Sequence, residues 1–319
     1  MMKTKRRNRQ PRKRKSKRRT NRKRRGGREK TNTINTAVKK AMKKFKKENC
    51  SPKANDELGF TCYTSTALSK IKQIWNARHP DSLITTNNPR EIWKQLKKYM
   101  GATCDRESCW LKHKCIGENL NKNIVDFTFA PKKPEEWKKK PHEWLSSVEI
   151  SQIMRQYEHT YKCFEFLGPS PIDYDSHKIF GECVWEELCK FNLIDTIKRG
   201  KRKIGIIFNL DPHYKSGSHW VALFINTRKR EIYYFDSYGE KIEKKIKEFA
   251  ETVQEQSMKL GEKYELIENE LRHQYTQSEC GMYSLYVIVQ LLKDIPFDKI
   301  STKKIPDKLM RDLRKKWFN

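Results

Sequence analysis

Apolar side chains in residues 50–130 recur at helical spacing. Leu68, Ile71 and Trp75 fall on one face of a predicted helix, and a second amphipathic helix is predicted over residues 89–101. Polar residues separate these two segments, and no run in this part of the chain alternates as a strand does. The pattern therefore predicts a mainly helical N-terminal region.

The pattern changes after residues 131–143, a segment rich in Pro and Lys that indicates a linker. Ser146, followed three residues later by Glu149, is typical of a helix start. Three strand-like runs then appear, at Lys203–Leu210, Trp220–Ile225 and Glu231–Phe235. A charged helix follows near residues 240–260, and an apolar helix begins near Cys280. This order of elements predicts an α+β domain.

Positive charge is concentrated at the N-terminus. The chain of 319 residues has a formal net charge of +31, and residues 1–30 contain 18 Lys or Arg against one Glu. Residues 1–47 have too few apolar side chains to offset the entropy of ordering, so we predict a disordered basic arm. The chain then divides into the arm, a helical accessory region with its linker at 48–142, and a main domain at 143–319.

Composition narrows the class of protein further. It excludes collagen-like, coiled-coil and wholly disordered chains. Nine cysteines, an odd number at irregular spacings, occur in a chain whose N-terminus lacks a signal peptide. We therefore expect reduced thiols in an intracellular setting. No membrane segment is expected, because the most apolar run, Met282–Leu292, is far shorter than the ~20 residues that a spanning helix needs.

The first candidate chemistry lies on a predicted β-hairpin. A polar turn at Asn226–Arg230 joins two strand-like runs, and a turn centred between Thr227 and Arg228 places His219 opposite Asp236. A carboxylate in that position orients an imidazole and stabilises its protonated form. Taken separately, a solvated histidine and a turn-forming aspartate explain the same residues.

The second candidate lies at the start of the apolar helix. The helix dipole favours a thiolate at Cys280, and Gly281 leaves room for a substrate backbone. A buried structural cysteine is the alternative interpretation. Gln274, six residues before the cysteine, is placed to stabilise an oxyanion together with the Cys280 amide. Gln277 is a rival for that role, and either glutamine could be an ordinary loop residue.

Taken together, these residues resemble the cysteine proteases that process small ubiquitin-like modifiers and the related adenovirus protease. The family pattern of His-Trp, Asp-Ser and Gln-x5-Cys-Gly reads here as His219-Trp220, Asp236-Ser237 and Gln274 to Cys280-Gly281. Residues 205–221 and 166–175 also look like the virion-maturation proteases of nucleocytoplasmic large DNA viruses. The resemblance covers roughly residues 55–319.

The resemblance implies a papain-like or adenovirus-protease-like domain, with a mixed central sheet flanked by helices. It implies that Cys280 is the nucleophile, His219 the base, Asp236 its orienting partner and Gln274 the oxyanion donor. No metal or cofactor is implied. Trp220 and the glycine after the nucleophile are assigned to substrate binding, although plain core filling is an equal interpretation for the tryptophan.

For function, the resemblance implies cleavage of viral core precursors at Gly-Gly-type sites during virion maturation. The protease would then act in the virion and in the host cytoplasm, at the virus factory. Two alternatives remain: an isopeptidase that removes ubiquitin-like modifiers, and a non-catalytic virion protein that binds nucleic acid.

The basic arm suggests DNA or RNA as a partner, because clustered cations neutralise phosphates without sequence preference. A nuclear address and a solubilising tail are alternatives. The candidate contacts are Lys13, Arg14, Lys15, Arg18, Arg19, Lys23, Arg24 and Arg25. Gly26-Gly27 suggests self-cleavage after Gly27, with a flexible hinge as the alternative.

One further cluster has zinc-ligand chemistry. Cys104, Cys109, His113 and Cys115 supply suitable residue types, but the second pair is spaced more tightly than in common zinc sites. We therefore favour buried thiols and expect no metal at this cluster.

Overall fold

The structure is a computed structural model that describes residues 45–53 and 57–319. Its α-helices, in chain order, are α1 (Ser65–Arg78), α2 (Pro89–Met100), α3 (Lys114–Gly117), α4 (Lys122–Phe127), α5 (Ser147–Thr160), α6 (Glu186–Cys189), α7 (Leu193–Lys198), α8 (Lys244–Met258), α9 (Cys280–Leu292), α10 (Phe297–Ser301) and α11 (Asp307–Trp317). Short 3-10 helices span Glu107–Lys112 and Glu135–Lys138.

Six strands form one mixed sheet: β1 (Phe164–Phe166), β2 (Ser170–Pro171), β3 (Lys203–Asn209), β4 (Trp220–Asn226), β5 (Glu231–Phe235) and β6 (Glu265–Glu268). The spatial order is β1-β3-β4-β5-β6, and β2 also pairs with β3. The central strands β3, β4 and β5 are antiparallel, whereas β1, β2 and β6 pair in parallel. The predicted mixed sheet flanked by helices is confirmed.

The sheet is covered on both faces, and its central strands β3 and β4 are buried at every position. Along β4, Ala222 and Phe224 contribute to one hydrophobic core together with residues of α5, α9 and α11. The intervening Val221 and Leu223 contribute to a second core on the opposite face, together with residues of α8. A strand that is buried on both faces cannot show the alternation of a half-exposed strand. This explains its continuous apolar sequence.

The N-terminal region has a separate hydrophobic core built from residues of α1 and α2 and their neighbours. Thr64 caps α1 and Asn88 caps α2, each through a side-chain oxygen that accepts backbone N–H groups. The helices lie where the apolar spacing predicts them.

The segment before α5 is more than a spacer. Trp137 is buried and its ring meets Phe318 edge-on, with 4.9 Å between ring centroids. Arg314 lies 4.5 Å from the Trp137 ring centroid and donates to the carbonyl of Glu143 at 2.5 Å. The predicted linker therefore packs onto α11, and the described residues form one compact unit. The domain boundary at residue 143 stays a prediction.

The cysteines differ from the expectation of reduced thiols. Three pairs are bonded: Cys50–Cys62, Cys104–Cys109 and Cys183–Cys189. Their Cα atoms are 5.1, 5.5 and 6.3 Å apart, within the range that disulfides span. Sequence spacing could not predict these pairs, because proximity depends on how the surrounding segments fold. Among the described cysteines, Cys163 and Cys280 are free.

Residues 1–44 lie outside the described part of the chain. The eight candidate nucleic-acid contacts and Gly26-Gly27 belong to this segment, so their roles stay predictions. Within residues 45–53 and 57–319, none of the helices combines the length and apolar character of a membrane span.

The start of α5 provides a matched pair of variants. Ser146 accepts from the amide of Val148 at 3.2 Å, while the Glu149 carboxylate accepts from the Ser146 amide at 2.7 Å. We expect Ser146→Ala to lower the free energy of unfolding by about 1 kcal/mol, because the first turn loses its cap. Urea denaturation followed by tryptophan fluorescence measures the change.

The control is Ser147→Ala, one residue further along the same exposed turn. Its effect should stay within about 0.5 kcal/mol of wild type, as is usual for surface positions. Equal destabilisation by both variants would contradict the assigned cap.

Candidate active site

The β4–β5 hairpin brings His219 and Asp236 together. His219 Nε2 lies 2.6 Å from Asp236 Oδ1, and both residues are buried. The register differs by two residues from that of a turn centred between Thr227 and Arg228, since Ala222 pairs with Phe235 and residues 227–230 form a longer turn. The predicted proximity is nevertheless present, because the imidazole reaches diagonally across the hairpin.

Asp236 is held by its neighbours on both sides. The Asn269 side chain accepts from the Asp236 amide and donates to its carbonyl, each at 2.8 Å. The Tyr238 amide donates to Asp236 Oδ1 at 2.9 Å. These bonds fix the direction of the carboxylate before any substrate binds.

Tyr238, and not Trp220, stacks on the imidazole. Its ring lies 4.7 Å from that of His219 at an interplanar angle of 12°. The Arg272 guanidinium lies 5.0 Å from the Tyr238 ring centroid. Trp220 points elsewhere, donating its indole N–H to the Leu145 carbonyl at 2.9 Å. The structure thus favours the core-filling interpretation of Trp220, which also lines a neighbouring cleft.

His219 is the group whose charge the site controls. Burial by itself lowers the pKa of His219, but hydrogen bonds and negative charge from Asp236 and Cys280 outweigh it and raise the pKa to about 9. Because Asp236 occupies Nε2, Nδ1 is the nitrogen left for Cys280. Below pH 9 the site therefore favours an imidazolium between a carboxylate and a sulfur.

Cys280 is the first residue of α9, where the helix dipole favours negative charge. The residue is 1% exposed. Gly281 packs internally, because a Cβ at that position would meet the side chains of Leu145 at 3.1 Å and Trp220 at 3.3 Å. Space for a substrate was the predicted reason for this glycine, whereas the structure shows close packing of the helix start.

Gln274 is fully buried, while its rival Gln277 is exposed. The Gln274 Oε1 accepts from the Ser237 hydroxyl at 2.7 Å, which turns Nε2 the other way. Nε2 donates to the Thr276 carbonyl at 2.6 Å and to the Tyr238 hydroxyl at 3.4 Å. These bonds link Gln274 to Ser237 and Tyr238, the two residues after Asp236. Of the two hydrogen bonds that Nε2 donates, the longer one, to the Tyr238 hydroxyl, is the weaker.

The loop between Gln274 and Cys280 is anchored from α11. Asp307 accepts from the amides of Tyr275 and Thr276 at 3.1 and 3.2 Å and from the Tyr283 hydroxyl at 2.9 Å. A carboxylate at a helix start thus ties the loop to the helix that carries the cysteine.

A cleft of about 470 Å³ lies beside these residues. Its lining includes Trp144, Leu145, Trp185 and Trp220. Leu145 and Trp220 of this wall pack against Gly281, the residue after Cys280. The sequence indicated neither Trp144 nor Trp185 as a site residue.

Other site residues were also missed. Tyr238 and Asn269 carried no signal beyond turn-forming composition, and Asp307 lies far from the cysteine in sequence. Glu279, which precedes the cysteine, is buried with His142 and Arg311 nitrogens 3.8 and 4.0 Å from its carboxylate. A charged residue directly before an apolar helix was the available signal for Glu279.

The zinc cluster considered from sequence does not form a ligand set around His113. Cys104 and Cys109 are bonded to each other. The Cys115 side chain lies outside the described part of the structure.

The chain is similar in sequence to known proteases. Residues 200–319 match the model of the Ulp1 protease family, C-terminal catalytic domain. A protein of Acanthamoeba polyphaga mimivirus that carries the name of a thiol protease is 29% identical over 84% of this chain and 92% of its own length. A cysteine protease of African swine fever virus is 26% identical over 75% of this chain and 91% of its own length.

A solved structure shares the fold. The crystal structure of the African swine fever virus protease superposes with a TM-score of 0.61 at 20% identity, covering 85% of this chain and 96% of that chain.

The hydrogen bonds around His219 make its titration testable. We expect the imidazole to stay protonated up to about pH 9, since the raised pKa favours the charged form below that value. Asp236→Asn and Cys280→Ala should each move the titration midpoint to lower pH, because each removes a hydrogen bond and a negative charge. NMR of histidine-labelled protein measures the midpoint.

The His219 signal is assigned by its loss in His219→Gln. An unchanged His219 midpoint in both variants would contradict the assigned electrostatics.

Proposed function

We propose that the protein is a cysteine endopeptidase that uses Cys280, His219 and Asp236 and cuts polypeptides at Gly-Gly-type sites, because residues 200–319 match the model of the catalytic domain of the Ulp1 protease family. The observation that carries the proposal is the buried bond of 2.6 Å between His219 and Asp236, next to a cysteine at a helix start.

The geometry supports a thiolate–imidazolium mechanism. The Cys280 sulfur attacks the scissile carbonyl carbon, and the electron pair of the C=O bond moves to the oxygen. The imidazolium of His219 then protonates the leaving amine as the C–N bond breaks, which leaves a thioester. Water attacks the thioester while His219 takes its proton, and the acid and the thiolate are released. Asp236 holds the imidazole in position throughout.

The negatively charged oxygen that forms when Cys280 adds to the scissile carbonyl needs hydrogen-bond donors facing it. The Cys280 amide is the first N–H of α9 and has no partner within the helix. Gln274 Nε2 is the second donor that we assign, because its donation to the Tyr238 hydroxyl is long and can be exchanged for a stronger one. The Ser237 hydroxyl keeps the amide in the required orientation.

The Gly-Gly preference is supported by how closely the nucleophile is covered. Leu145 and Trp220 pack against the helix start, and Cys280 itself is almost inaccessible. A substrate residue with a side chain would have to displace this wall, whereas glycine presents only backbone. The aromatic lining of the cleft supports recognition of an extended, narrow peptide.

The relatives from mimivirus and African swine fever virus support a role in a large DNA virus. We place the activity in virion maturation, on core precursors, in the virion and in the cytoplasmic virus factory. The basic arm then keeps the protease near the packaged genome through phosphate contacts.

Replacing the nucleophile tests the proposal directly. Cys280→Ala should lower the rate of hydrolysis of a Gly-Gly-containing peptide by about 10⁴-fold or more, because no group replaces the sulfur. Mass spectrometry of the two peptide products measures the rate. Cys163→Ala is the matched control, since Cys163 is the other free cysteine among those that the structure describes and lies on the loop before β1.

Substrate changes test the Gly-Gly preference on the same enzyme. Replacing the glycine before the cut by alanine should lower kcat/KM by about tenfold or more. Wild-type turnover in Cys280→Ala would refute the protease assignment, and equal turnover of both peptides would refute the preference alone.

Removing residues 1–44 tests the role of the arm, since the described part of the chain begins at Phe45. The truncated protein should bind duplex DNA more weakly, with a shallower dependence on salt, because fewer phosphates are neutralised. Peptide hydrolysis should stay unchanged. Fluorescence anisotropy over a series of salt concentrations provides the measurement, and an unchanged salt slope would refute nucleic-acid binding by the arm.

A further inference from the structure

Three side chains with zinc-ligand chemistry meet outside the catalytic residues. His177 and Cys183 face each other at the base of a short hairpin, where they form an antiparallel bridge. Cys189 ends α6, which follows the hairpin. Their ligand atoms lie within 4.8 Å of one another, and His177 Nε2 is 3.9 Å from Cys183 Sγ.

This hairpin has little hydrophobic support of its own. Ile179 and Phe180 at its tip are 97% and 93% exposed, and Gly181 completes the turn at φ +81°. A segment that buries so little apolar area needs a cross-link to stay ordered. In the structure the bond between Cys183 and Cys189 provides it.

His177 has no part in a disulfide, yet it lies against the sulfur pair. Two thiolates and one imidazole are a common ligand set for zinc. Tetrahedral zinc with its usual bond lengths places such a nitrogen and sulfur about 3.6 Å apart, close to the observed distance. The base of the hairpin already holds this separation through the Lys178 amide, which donates to the Glu182 carbonyl at 2.8 Å.

We propose that His177, Cys183 and Cys189 bind a zinc ion when the cysteine pair is reduced. Glu186 is placed to complete the tetrahedron, since its carboxylate already accepts from the Cys183 amide at 3.2 Å. The disulfide and the zinc ion are then alternative cross-links of one segment, and the redox state of the surroundings selects between them.

The disulfide is replaced by the zinc ion in two steps. A thiol reductant cleaves the bond between the sulfurs, is itself oxidised to a disulfide, and leaves two cysteine thiols. Zinc then binds both sulfurs and displaces their two protons to solvent. Neutral His177 donates its Nε2 lone pair without losing a proton.

The site adjoins the substrate cleft. Lys178, which follows the histidine, and Trp185, which precedes α6, both line the cleft wall. The Trp185 indole N–H donates to the Leu167 carbonyl at 3.1 Å, joining this segment to the residues after β1. A cross-link at the base of the hairpin therefore fixes one wall of the cleft in either redox state.

Zinc analysis of the full chain tests the proposal. Wild type, Cys183→Ser/Cys189→Ser and Cys163→Ser are purified without oxygen in a phosphine reductant, equilibrated with zinc sulfate and desalted. Elemental mass spectrometry should show about one zinc ion per chain less in the double variant than in wild type. Cys163→Ser, which removes a free cysteine elsewhere, should match wild type.

A difference measurement is required because other cysteines of the reduced chain can also bind zinc. His177→Gln should bind zinc more weakly than wild type in competition with a chelator, and oxidised wild type should lose the same ion as the double variant. Equal zinc content in reduced wild type and the double variant would overturn the site. An unchanged affinity for zinc in His177→Gln would show that the histidine is not a ligand of the site.

Discussion

The hydrogen bond between His219 and Asp236 is the interaction on which the site depends. It joins the two strands of a hairpin at their open end, where backbone pairing has already stopped. Burial alone would make the imidazole neutral, so the carboxylate and the sulfur have to supply the charge that keeps it protonated. Asn269 holds the backbone of Asp236, the Tyr238 amide holds its carboxylate, and Gln274 is linked to the same segment through Ser237. The site is therefore built on His219 and Asp236 at the end of the sheet, and the loop residue Gln274 is connected to them through Ser237.

Much of this arrangement follows from local sequence. The continuous apolar runs of β3 and β4 predicted strands, and the spacing of Leu68, Ile71 and Trp75 predicted α1. Ser146 and Glu149 predicted the start of α5, because a capping box is a local structure that needs no distant partner. The proximity of His219 and Asp236 was also accessible, since a hairpin relates two strands through a short turn.

Other features depend on distances along the chain that no local pattern encodes. The exact hairpin register was left open because the polar segment does not fix the centre of the turn, which lies one residue further along the chain than the position between Thr227 and Arg228. Asp307 meets the loop of Gln274 only after α9 and α10 have packed. The cysteine pairs were missed for a related reason: an odd number at irregular spacings carries no pairing information. Tyr238, which stacks on the imidazole, looked like an ordinary turn residue.

Leu145 has two roles that cannot be separated. Its carbonyl accepts the Trp220 indole, and its side chain fills the position that a Cβ on Gly281 would occupy. The same residue directly precedes the cap of α5. Lifting the beginning of this helix would consequently withdraw both the acceptor of the tryptophan indole and the side chain packed on Gly281 in one movement, so that the start of α9 and the cleft wall at Trp220 are mechanically coupled.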